Sequence, residues 1–312
     1  MRVGLLYEKT GAGGDFAAIV EQVVAADTLG MDALWLEERH GDEHSLGSIP
    51  IVLSALAKRT RSIRLGAFKI MALGHPAGIA EDFAMIDLTS GGRLNFGAAV
   101  GKRAEDFRMF RVPFAERAER FAEALDIVLT AWSADEFSYA GRYYQFPSHH
   151  APGDRLITRR RGRTDPYRPQ WERGPETPDL LTVTPKPIQQ PRPHVWVLAD
   201  DASLITFAAE HGHSIVLPPA DLKMLETAAR TYESTLDRVR RARHEVEVAS
   251  IVDIALDGER VAAGTLEHLH RLQAATGMNQ VIWRVPYPDC AHGRIVSAFQ
   301  HFAGEVQPML QA

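Results

Sequence analysis

Apolar residues in this chain fall in short unbroken runs, and longer stretches of helical period separate the runs. The runs are 2–7 (RVGLLY), 32–38 (DALWLEE), 62–70 (SIRLGAFKI), 93–100 (RLNFGAAV), 194–199 (HVWVLA), 214–218 (SIVLP), 246–256 (VEVASIVDIAL) and 280–285 (QVIWRV). Between them, 16–29, 49–59, 78–89, 114–132, 202–211, 222–243, 260–275 and 292–306 repeat apolar residues at helical spacing, as a helix with one buried face does. Strands buried on both faces read as continuous apolar runs, and parallel neighbours need a helical crossover. Eight strand–helix units in strict order predict an α/β fold, a (β/α)8 TIM barrel rather than an open sheet. The stretch after the first run, EKTGAGGDF, lacks the glycine spacing of a dinucleotide-binding turn.

A barrel typically takes about 250 residues. The 312 residues here are therefore read as one barrel domain, 1–312, with an insertion at 148–178. That segment holds seven arginines and five prolines with no sustained period, so it has neither backbone donors nor apolar surface for a core. It carries +3 while the rest of the chain carries −8. A loop of this length suits a cover over an active site.

Composition narrows the setting. The net charge of −5 speaks against a dedicated nucleic-acid binder. No run approaches the roughly 18 residues of a membrane-spanning helix, so no membrane partner is expected. No secretory pattern precedes the first strand, and Cys290 is a lone cysteine, which excludes a disulfide framework. The expected compartment is the cytoplasm.

In a barrel, reactive groups sit just beyond the carboxyl ends of the strands. There the second run ends in Glu37-Glu38-Arg39-His40, the third in Lys69, the fourth leads to Lys102-Arg103, the fifth to Asp200-Asp201, and the eighth ends in Arg284. His40 and His44 have zinc-like spacing, but Gly41 marks a loop, so no metal site is expected. His211, His213, His268 and His270 are read as surface histidines.

Several segments together resemble the bacterial luciferase-like family of flavin-dependent oxidoreductases. They are GMDALWLEERH (30–40), HPAGIAEDFAMIDLTSGGRLNFG (75–97), DFRMF (106–110), RAERFAEALDIVLTAW (117–132), GRYYQF (141–146), PKPIQQPRPHVWV (185–197) and the carboxy-terminal WRVPYP with FAGEVQPML. The resemblance implies a (β/α)8 barrel working as a homodimer. It also implies a flavin monooxygenase that uses reduced FMN and oxygen to oxidise a small organic substrate. No nicotinamide fingerprint occurs in the chain, so the reduced flavin is expected from a separate flavin reductase.

Glu38-Arg39-His40 is closer to the Glu-His-His of FMN members than to the aspartate-bearing pattern of deazaflavin members. A deazaflavin-dependent dehydrogenase is the alternative, and a non-catalytic flavin-binding protein is a further one. Carried over residue by residue, His40 is the acid–base group or flavin-peroxide stabiliser, and Glu38 orients it. Ala67, Phe68, Ala99, Lys102, Arg103 and Ser203 surround the flavin, with Ala67-Phe68 at the family's frequent non-prolyl cis bond. Arg39 and Arg284 are the substrate contacts. The family's first histidine is Arg39 here, its reactive cysteine is Ala99, and its phosphate-binding arginine is Val100.

Overall fold

Eight parallel strands close on themselves: β1 Arg2–Tyr7, β2 Ala33–Glu37, β3 Arg64–Ile70, β4 Leu94–Ala99, β5 His194–Leu198, β6 Ser214–Leu217, β7 Val248–Val252 and β8 Gln280–Arg284. Each pairs with its neighbours in chain order, and β8 returns to β1, with Gly4 facing Ile282 on one side and Ala33 on the other. This computed structural model describes residues 1–11, 16–146 and 180–311, with the backbone of the short strands Ile157–Thr158 and Arg168–Pro169. The insertion expected at 148–178 otherwise lies outside the described residues.

The crossovers are α1 Ala17–Thr28, α2 Ile49–Arg59, α3 Pro76–Ser90, α4 Arg117–Ser133, α5 Ala202–His211, α6 Leu222–Arg238, α7 Thr265–Thr276 and α8 His292–His301, with a short extra helix, Ala104–Met109, after β4. Local chemistry sets several of their starts. Prolines stand in the first turns of α2 and α3, where a missing amide costs nothing. Asp201 and Asp221 cap α5 and α6 by accepting the Leu204 and Met224 amides. No helix among the described residues is long and apolar enough to cross a membrane.

Two expected boundaries move. The helix expected over 222–243 stops at Arg238, and Arg240 takes a left-handed φ of 57° that turns the chain toward β7. The run 246–256 is a strand only to Val252; Leu256–Asp257 then pairs antiparallel with Arg260–Val261. Asp257-Gly258 is a turn signal, and Gly258 has a φ of 63° there. The hairpin delays α7 to Thr265. His213, expected at the surface, is buried beyond the end of α5, and burial followed by the Arg192 charge pushes its imidazole down to about 3.

Alternation along the strands divides the core in two. Outward positions such as Val3, Leu5, Leu34 and Leu36 pack under the helices. Inward positions fill the lumen with Leu6, Ala33, Trp35, Phe68, Trp196, Ile251 and Ile282 among others. Trp35 lies flat on Phe68, centroids 4.8 Å apart at 8°, and meets Trp196 edge-on at 5.7 Å. Gly66 stands directly opposite Trp35 in the ladder, and a Cβ there would fall inside the indole. Gly66→Ala is therefore expected to cost about 1–3 kcal/mol through overpacking. It should appear as a Tm lower by a few degrees; an unchanged Tm would mean that the indole can step aside.

Candidate functional site

Because the lumen is plugged by aromatic side chains, the cleft that the described residues leave over it at the carboxyl ends of the strands is shallow. A cleft of about 170 Å³ opens there. Phe68, Ile70, Ala99, Leu198 and Ile251 give it an apolar floor.

Its walls are charged, and among the described residues all but one of the charged groups are paired. Arg284 binds Asp253 through Nε and Nη2, at 2.7 and 2.5 Å, and reaches Glu8 at 3.4 Å. These carboxylates raise its pKa further. Lys102 Nζ lies 3.0 Å from Asp200. Arg39 and Arg103 both reach Asp42 Oδ2, each at 3.0 Å. Burial opposes ionisation of Asp42, but Arg103, Arg39 and the His44 amide bring it down to about 2.

The two glutamates at the end of β2 have opposite surroundings. Glu38 is 6% exposed. It accepts from Lys69 Nζ at 2.5 Å and from the Ile70 amide at 2.5 Å, and His40 Nε2 lies 3.1 Å from it. Burial alone would raise the Glu38 carboxyl; the Lys69 ammonium and these hydrogen bonds outweigh it and hold the group below its usual range. Glu37 follows Ala33 and Trp35 on the lumen side and lines the cleft. Among the described residues its carboxyl has no hydrogen bond and no ion pair. Burial, followed by the Glu8 carboxylate, pushes it up to about 7 against the pull of Lys102, Arg39 and Arg284.

Of the residues expected in the site, Glu38, Arg39, Phe68, Ala99, Lys102, Arg103 and Arg284 all line this one cleft. His40 stands behind Glu38, outside the lining. Its amide donates to Asp106 at 3.1 Å, and its ring meets Phe110 edge-on at 4.7 Å. Ala67 faces the helical shell. The described cis peptides all precede proline, so Ala67–Phe68 is not a cis bond. Ser203 is exposed and donates to Asp201 at 2.6 Å. Asp201 also takes the Leu204 amide at 2.9 Å, so the chain's own carboxylate caps the start of α5, and Ser203, expected around the flavin, lies outside the cleft lining.

The sequence places Glu37 at the end of the second run without marking out a role for it, leaves Glu8 unremarked, and shows Lys69 without its partner. A usable signal existed for Glu37: a charged residue at lumen parity, two positions after an inward tryptophan, has nowhere to point except the barrel mouth.

The family model described as "Luciferase-like monooxygenase" matches residues 4–171. The oxygenase component of a flavin-dependent trigonelline monooxygenase from Acinetobacter baylyi is 27% identical over 209 residues, which is 65% of this chain and 49% of the relative. The chain spans about half the length of the curated relatives it matches. Two solved structures share the fold. The oxygenating constituent of 3,6-diketocamphane monooxygenase from Pseudomonas putida, in complex with FMN, has a TM-score of 0.77 at 15% identity, covering 99% of this chain and 98% of that one. An F420-dependent secondary alcohol dehydrogenase has a TM-score of 0.76 at 12% identity, covering 100% and 99%.

Proposed function

The chain belongs to the luciferase-like monooxygenase family, and from that premise we propose that it is a flavin-dependent oxidoreductase. In this reading it takes up reduced FMN from a separate reductase and uses oxygen to oxidise a small organic substrate. One observation carries the proposal: an apolar floor ringed by ionisable groups at the carboxyl ends of the barrel strands, where enzymes of this architecture place their chemistry. The name of the flavin-dependent trigonelline enzyme supports a flavin, and Glu38-Arg39-His40, closer to the Glu-His-His that the resemblance gives to FMN members, inclines the reading to FMN over a deazaflavin.

The residues fit a flavin's ring better than its phosphate. Phe68, Ile70, Ala99 and Leu198 would hold the ring by apolar contact. At about 170 Å³ the cleft is smaller than the roughly 300–1,000 Å³ usual for such ligands. An adjoining groove of about 350 Å³ between α5 and α6 shares Asp200 and Pro218 with it. A bound flavin supplies the electrons for oxygen reduction. The chain's part is to exclude water from the floor and hold protons: Glu38 stays ionised under Lys69, and His40 acts through Glu38 by fixing its orientation.

For the phosphate, Lys102 is the nearest candidate, but Asp200 already holds it. FMN is therefore expected to bind weakly. Asp200→Asn should release the ammonium and tighten FMN roughly 10-fold, and Lys102→Ala should weaken it by a similar factor; a charge-assisted contact is worth about 1.5–3 kcal/mol. Riboflavin affinity should stay unchanged in both. A constant FMN-to-riboflavin ratio would place the phosphate elsewhere.

The test of the whole reading is an anaerobic titration with reduced FMN and, separately, reduced deazaflavin, followed by oxygen. FMN binding with an oxygen reaction whose rate or course differs from that of free reduced FMN supports it. Preference for the deazaflavin with no oxygen consumption indicates the dehydrogenase, and flavin binding without any change in reactivity indicates a carrier.

A further inference from the structure

Every other ionisable side chain that lines the mouth cleft has a partner given above; among the described residues Glu37 has none. Its position explains the isolation. It closes β2 opposite Phe68 in the ladder, on the side of the strand that faces the lumen. The cations that face it are Arg39, Lys102 and Arg284, and each is already bound to another carboxylate. Glu8, the remaining ionised neighbour, repels it. A carboxyl so placed has one direction open, into the cleft.

We propose that Glu37 is the catalytic acid–base group of this site, passing a proton between its carboxyl and an oxygen or nitrogen atom of the ligand in the cleft. The proposal rests on the oxidation reading above. The step is a proton transfer alone: the O–H bond at Glu37 breaks as a bond from hydrogen to the ligand forms, or the reverse. Water at the open mouth restores the starting protonation.

The charge environment supports the assignment. Glu37 is raised to about 7 while its neighbour Glu38 is held ionised, so two adjacent carboxyls occupy opposite states near neutral pH. Enzymes separate acid from base in this way, and a group poised near the working pH is the effective one.

The first test uses the ligand-free full chain. Infrared difference spectra between pH 5 and 9 should show a carboxyl titrating near neutrality that disappears in Glu37→Gln. Because the folded pKa is raised, Glu37 costs no stability below its usual 4.5, costs progressively more as pH rises from there to about 7, and carries the full cost above that. Glu37→Gln should accordingly raise Tm at pH 8 and do so far less at pH 5. The kinetic probe is the oxidation by oxygen of reduced FMN in its anionic form, FMNH−, which takes up one proton as it yields FMN and hydrogen peroxide. Its alkaline limb near pH 7 should vanish in Glu37→Gln and persist, shifted, in Glu37→Asp.

A carboxyl ionised across the whole range, or a Glu37→Gln chain that keeps the limb, overturns the assignment. If the wild-type chain takes no reduced FMN, the flavin reading falls, and the ligand-free titration alone decides on Glu37.

Discussion

Truncating Glu38 to alanine is expected to destabilise the fold by about 3–5 kcal/mol, because it strands a buried ammonium. The side chains of Lys69 and Glu38 are 10% and 5% exposed, and the Glu38 carboxylate takes both the Lys69 ammonium and the Ile70 amide. Without Glu38 the ammonium keeps its desolvation cost and loses its counter-ion. Removing both charges, as in Glu38→Ala with Lys69→Met, should recover most of the loss. Urea unfolding of the two single variants and the double variant at pH 7 measures the cycle. A loss below about 1 kcal/mol in Glu38→Ala would mean that water reaches Lys69. Acid should reproduce part of the effect. Glu38 is held below its usual pKa of 4.5, so its contribution is complete above that value and is lost as pH falls through the lower folded value. The Glu38→Ala chain should show a shallower acid limb than the wild type.

Turnover should separate His40 from His44. His40→Ala is expected to slow the oxygen reaction of bound reduced FMN by about 10²-fold, since small misplacements of a site carry penalties of that order. FMN affinity should change little, because the imidazole lies outside the cleft lining. His40→Gln keeps a donor for Glu38 and should restore most of the rate. A glutamine variant as slow as the alanine one would show that the imidazole itself moves the proton. His44 is bonded to the Thr10 carbonyl at 3.1 Å and has a partly exposed side chain, so His44→Ala should leave both rate and affinity near wild type.

The barrel was readable because all eight strands are buried on both faces, which leaves unbroken apolar runs such as RLNFGAAV around β4. Boundaries failed where a turn hid inside an apolar stretch. Leu256 continues the pattern of β7, and the Asp257-Gly258 turn beside it outweighs that pattern. Seven of the residues expected in the site meet in one cleft at the carboxyl ends of the strands. What the pattern along the chain lacks is distance across it. Lys69 lies 31 positions from Glu38, where the β2–β3 register brings them together, and Arg103 lies 61 from Asp42, where the loops after β4 and β2 meet. That gap also hides the Asp200 carboxylate that holds Lys102, 98 positions away.

The aromatic plug in the lumen also constrains how this chain can diverge. Trp35 occupies the space that Gly66 leaves empty, and Phe68 lies flat against the same indole. A larger residue at 66 is tolerable only after 35 has shrunk, and shrinking 35 removes the support beneath Phe68. Accessible substitutions thus have an order: position 35 must change first, 66 can then grow, and 68 must readjust. Each intermediate along that path carries either a void or a clash under the cleft floor. Descendants of this sequence are therefore expected to keep the three positions or to exchange them as a block, leaving drift to the rim charges above.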